Sequence, residues 1–155
     1  MRSLTIGAAA AAAALLLAGC ATVPGAQRAT LSVTLTGLQE VPGPGDPDGT
    51  GTAQMRVEPG QGRVCWTLYV AQIDAATAAH IHRGAAGSAG PPVVTLATPG
   101  PDGRSEGCAP VDAALARELA MQSHAFYVNV HNAAYPAGAV RGQLRGGPIP
   151  RQRQR

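Results

Sequence analysis

The chain contains no lysine. All twelve of its basic residues are arginine, set against nine acidic residues. Aromatic side chains are almost as scarce: one Trp, one Phe and three Tyr in 155 residues. A nucleic-acid surface wants a dense basic face with aromatics for stacking, so nucleic acid is excluded as an expected partner. There is no G-x-S-x-G elbow and no phosphate loop. The acids Asp46, Asp48 and Asp102 fall in glycine-rich turns, where the simplest role is an Asx turn, and a calcium loop would need more oxygen ligands at tighter spacing. A long apolar run is missing too. The stretch from Ile6 to Leu17 falls short of the about 20 residues that a membrane span requires. What the chain does have is turn formers, 20 Gly and 13 Pro, which cut it into short segments and favour strands over long helices.

The N-terminus reads MRSLTIGAAAAAAALLLAGCATVPG. Arg2 followed by a short apolar run has the form of a secretory signal. Its end, Leu17-Ala18-Gly19-Cys20, resembles the lipobox of bacterial lipoproteins. The resemblance implies a signal peptide over 1–19, a lipidated Cys20, a tether over 20–29 and no need for a transmembrane helix, because two or more acyl chains anchor stably. An ordinary signal peptide cut near Gly25 is the alternative. Ala21 after the cysteine favours the outer membrane, facing the periplasm. The last nine residues, 147–155, read as a disordered Arg-rich tail, solvated or resting on anionic lipid or cell-wall polymer.

With Cys20 assigned to lipid, Cys65 and Cys108 remain. In an exported chain an even pair reads as a disulfide. Closing a loop of about 44 residues is worth roughly 4 kcal/mol in the chain-entropy picture. A Cys–His metal site is the alternative, but neither cysteine has a partner at ligand spacing.

Hydrophobic alternation marks the strands. Leu31, Val33 and Leu35 share one face of TLSVTLTGL (30–38), and Val64, Trp66, Leu68 and Val70 one face of RVCWTLYV (63–70). GTAQMRVEP (51–59), AAHIH (78–82), PPVVTLAT (91–98), HAFYVNVH (124–131) and AVRGQLR (139–145) complete the expected set. PGPDGRSEGC (99–108) reads as a turn leading to Cys108. DAALARELAMQ (112–122) is the single helical stretch, with Asp112 as N-cap and Leu115 and Leu119 as an apolar pair. The expected fold is all-β: an antiparallel Greek-key β-sandwich or barrel with one short helix near 112–122.

The blocks LQEVP, AAHIHRGAAGSAGPPVVTL and FYVNVHNAAYPAGAVRGQL resemble the CHRD domain, a module named after chordin that also occurs singly in secreted bacterial proteins. The resemblance runs from about Leu31 to Arg145, within a domain set at 30–146, and implies a β-sandwich. It implies little about activity. One position departs: the last motif usually reads G-E-[IV]-R-G-Q, and Ala139 stands here in the acidic place.

On a strand, His80 and His82 project to one side, about 7 Å apart along the backbone. His131 ends a later strand beside a turn. If the two strands are neighbours, three imidazoles surround one point, and imidazole suits copper or zinc. His124 falls on the opposite face by strand parity and is left out. The order of HIH and VNVH is similar in type to the copper ligands of Cu/Zn superoxide dismutase, but no histidine lies between His82 and His124 to bridge a second metal. Three functions follow as expectations. The first is a lipid-anchored, monomeric periplasmic binding protein, holding copper or zinc at His80, His82 and His131. The second is a copper-dependent redox enzyme. The third is a structural or adhesive module, with histidines that only pin turns. The first, binding without catalysis, is preferred, and the protein partner is left unassigned.

Overall fold

The structure, a computed structural model, describes residues 27–149. Cys20, the leader before it and the end of the tail lie outside these residues. Nine strands and one α-helix make up the described chain: β1 (Ala29–Thr36), β2 (Thr50–Glu58), β3 (Arg63–Ala71), β4 (Ala76–Arg83), β5 (Pro92–Leu96), β6 (Arg104–Pro110), α1 (Ala113–Met121), β7 (Phe126–Asn132), β8 (Val140–Gln143) and β9 (Arg145–Pro148). They form one antiparallel sheet in the order β5-β4-β7-β8-β1-β2-β3-β6, with β9 also paired to β1. The sheet curls into a nearly closed barrel with a single helix, the class that the alternation predicts.

Alternation builds the interior. Leu31, Val33 and Leu35 of β1 point inward with Ala53, Met55 and Val57 of β2 and the even-numbered apolar residues of β3. Ile81, Val128 and Val140 supply the opposite wall and are fully buried. The last gap, between β5 and β6, is bridged by side chains. The Trp66 indole N–H donates to Ser105 Oγ at 3.0 Å, and the same hydroxyl donates to the Ala97 carbonyl at 2.6 Å. Helix α1 packs on β9 and the turn Pro59–Gln61, with Ala116, Leu119 and Ala120 buried. Asp112 caps it, as its position predicts: its carboxylate accepts from the Ala114 N–H at 2.7 Å.

Several boundaries differ from the sequence reading. The segment read as a turn before Cys108 contains β6, antiparallel to β3 from Arg63↔Pro110 to Tyr69↔Arg104. Its apolar content is too low for alternation to reveal it; it earns its place through backbone pairing and a covalent bond, because Cys65 faces Cys108 and the two are joined in a disulfide. AVRGQLR is two strands, broken where buried Leu144 leaves the ladder and donates its N–H to Phe126 O. Strand β9 includes Gly147 and Pro148, read as tail, and β1 includes Ala29, read as tether. His124 lies in a 3-10 turn, Ser123–Ala125, instead of on a strand.

Strand β7 shows how the fold makes a site. All its residues are buried except the half-buried His131. One face meets the core. The other, outside the barrel, is covered by three loops, over 37–49, 84–91 and 133–139. Asp46 N–H donates to Ala139 O, Gly84 N–H to Ala125 O, and Arg141 reaches the carbonyls of Ala85 and Ser88 at 3.1 and 2.8 Å.

Candidate functional site

His80 and His82 leave β4 on its outer face, and His131 leaves β7 on the same side. The β4–β7 register sets Ala78 opposite His131, His80 opposite Asn129 and His82 opposite Tyr127, so His131 is the diagonal neighbour of His80. The three rings form a triangle, with centroids 5.5 Å (His80–His82), 5.4 Å (His80–His131) and 6.0 Å (His82–His131) apart. One nitrogen from each ring lies within 4.8 Å of the other two. Nitrogens bound to one tetrahedral zinc at about 2.0–2.1 Å sit roughly 3.4 Å apart. The rings would therefore close inward on an ion.

Two of the rings are oriented by backbone. His82 Nδ1 is 2.9 Å from Gly90 O, and His131 Nδ1 is 3.1 Å from Pro136 O. A carbonyl can only accept, so each Nδ1 carries the proton and each Nε2 keeps its lone pair. Nδ1–H to a backbone carbonyl is a common support for a metal-ligating histidine. The Nε2 atoms of His82 and His131 and the Nδ1 of His80 are buried with no hydrogen-bond partner. Burial pulls the pKa of all three below the ordinary 6.5. At His80 the neighbouring His131 and His82 add to it, at His82 Arg141 does, and at His131 His82 does; the carbonyl bonds partly oppose the shift at His82 and His131. The rings are neutral at pH 7, the form that donates a lone pair.

Around this triangle lies a polar layer to which sequence reasoning assigned no role. Tyr127 stacks on His82, with centroids 4.9 Å apart and planes 14° from parallel. Its hydroxyl accepts from Gly90 N–H at 3.1 Å and lies 3.2 Å from Gly90 O. It thus holds the peptide whose carbonyl orients His82. The Arg141 guanidinium lies 3.5 Å from the centre of the Tyr127 ring. Gln143 Nε2 reaches Gly84 O at 2.8 Å. The R-G-Q triplet is thereby explained: Arg141 and Gln143 clamp loop 84–91, and between them a Cβ on Gly142 would stand 2.2 Å from Thr34 O. Strand parity was the available signal, since Tyr127 and Asn129 share the face of His131.

Glu40, from LQEVP, enters the layer from its loop. It accepts from Asn129 Nδ2 at 3.2 Å and lies against Gly138, where a Cβ would strike its carboxylate. Burial pushes its pKa up to about 7, against the opposing pull of Arg141 and Asn129. Ala139, in the place where the resemblance implies an acid, is fully buried next to Gly138. The buried acid of this layer is Glu40.

Asp46 and Asp102 make the expected Asx contacts, to the N–H groups of Asp48 and Arg104. His124 is exposed and apart from the cluster. Among the described residues the triangle is the single grouping of three or more His, Cys, Asp or Glu side chains at metal-ligand spacing.

No curated protein and no solved structure matches the chain. The family model described as CHRD domain matches residues 31–144. That span runs from Leu31, the third residue of β1, to the Leu144 break, and it contains the three clustered histidines and every residue of the polar layer. The chain belongs to the CHRD domain family.

Proposed function

We propose that this chain is a lipid-anchored binding protein of the cell envelope, held by Cys20 at the outer membrane, whose CHRD domain binds one copper or zinc ion through His80, His82 and His131. The observation that carries the reading is the convergence of three neutral imidazoles, each with a buried nitrogen lacking a partner. An unpartnered buried nitrogen costs about 1–3 kcal/mol, and three facing one another are costly unless something binds between them. The ligand set holds no carboxylate or thiolate, so the donor chemistry is that of imidazole alone, which suits zinc and copper. Binding is favoured over catalysis because none of the three histidines lines the large groove over β1, β2 and β3, which meets the polar layer only at Gln143.

The test is metal content. The chain from Ala26 onward, exported to the periplasm, is loaded in turn with Cu(II) and Zn(II) and desalted. About one equivalent in the parent, lost in His80→Ala, His82→Ala and His131→Ala, is the expected outcome. Parent protein without retained metal, together with histidine variants that melt earlier, would reduce these histidines to turn supports. Anchoring is tested separately: the Cys20→Ser variant should leave the membrane fraction.

A further inference from the structure

The outer face of β1–β2–β3–β6 has a different chemistry, independent of the histidine triangle. Thr30, Ser32 and Thr34 of β1 point outward, followed across the ladder by Thr52 and Gln54 of β2 and Thr67 of β3, and all six are exposed. The register draws one continuous line across five strands, Arg145–Ser32–Gln54–Thr67–Glu106. A groove of about 700 Å³ runs over this face from Tyr69 and Arg104 to Arg145. A second, of about 490 Å³, continues toward Arg56 and shares Gln54 and Thr67 with the first. Its floor ends at the Cys65–Cys108 bond, so the staple ties down the edge strand of this trough.

Its charge is one-sided. Arg56, Arg104 and Arg145 are exposed there against the single acid Glu106, and among the described residues none of the three arginines makes an ion pair. Arginine pairs with carboxylates through two parallel hydrogen bonds. The exposed hydroxyls and amides of Thr30, Ser32, Thr34, Thr52, Gln54 and Thr67 match a ligand that is itself covered in hydroxyls. Tyr69, 42 % exposed, adds one ring at the end of the trough. A protein partner would want a centre of exposed apolar side chains, and nucleic acid more stacking aromatics; apart from Tyr69 and the Cys65–Cys108 bond, the side chains exposed on this face are polar, and Met55 and Trp66 beneath them are buried.

We propose that this trough binds an anionic polysaccharide, its carboxylates on Arg56, Arg104 and Arg145 and its hydroxyls on the Ser, Thr and Gln rows. The test titrates the full chain, in detergent, with polygalacturonate, the methyl ester of the same polymer, dextran and duplex DNA. The expected result is saturable binding of polygalacturonate that weakens with salt. It should fall at least tenfold in Arg104→Ala/Arg145→Ala and stay unchanged in Arg117→Ala, a control on α1 outside the trough. Circular dichroism matching the parent shows that the double variant is folded; should it not fold, Thr34→Glu/Gln54→Glu, which places acids in the trough, is read in its place. Absence of saturable binding, equal affinity for the ester or dextran, equal or tighter binding of DNA, or affinity indifferent to the trough variants would each overturn the proposal.

Discussion

Tyr127 ties the candidate site together: its ring lies between His82 and Arg141, and its hydroxyl is on Gly90. Tyr127→Phe keeps the stack and frees the Gly90 peptide. We expect a loss of about 1–3 kcal/mol from the unpaired N–H, read by denaturant unfolding, and roughly tenfold weaker metal binding as His82 loses its fixed orientation. The layer also sets the pH response. The three histidines titrate below 6.5 in the fold, so their contribution is complete above that pH and falls away on acidification below it. Glu40 acts in the opposite sense. Its carboxyl holds a proton to about 7 in the fold and to the ordinary 4.5 when unfolded, so its contribution is complete below 4.5 and fades as pH rises toward 7. Melting temperatures of Glu40→Gln and parent, compared from pH 4.5 to 7.5, should move in the variant's favour as pH rises; a gap that is flat with pH would refute the role given to Glu40.

The strands with strict alternation, β1, β2 and β3, were legible residue by residue, because each has one wet and one dry face. Strand β6 was not. Its sequence RSEGCAP has almost no apolar inward residue, and Ser105 fills the inward place because Trp66 and Ala97 need a hydroxyl there. Strand β7 was legible as a strand, but its second buried face was not, since that burial comes from loops distant in sequence. The histidine pair was legible from the period of two; its closeness to His131 depended on β4 pairing with β7, which no local pattern encodes. Ser105→Ala tests the bridge. It strands the Trp66 N–H and removes the link from β6 to β5, a cost of about 1–3 kcal/mol. Hydrogen exchange should quicken in β5 and β6 while β1 and β2 stay protected.

For the whole molecule, the staple and the site are separable. Cys65 and Cys108 lie on the outer face of β3 and β6, whereas the histidines lie on β4 and β7. Cys65→Ser/Cys108→Ser should lower unfolding free energy by roughly 4 kcal/mol and leave metal stoichiometry intact below the melting temperature. Loss of metal in this variant at a temperature where it is folded would show that the two halves are coupled. The sheet order has one more consequence. The N-terminal strand β1 is no edge: β2 pairs along all eight of its residues, and β9 and β8 flank its other side. Were the chain held through Cys20 as proposed, tension would enter the barrel at Ala29. A pull along the axis of β1 loads the ladders on both sides in shear, so many bonds must yield together before the first strand slides. Such a mooring line would be spliced into the middle of the hull.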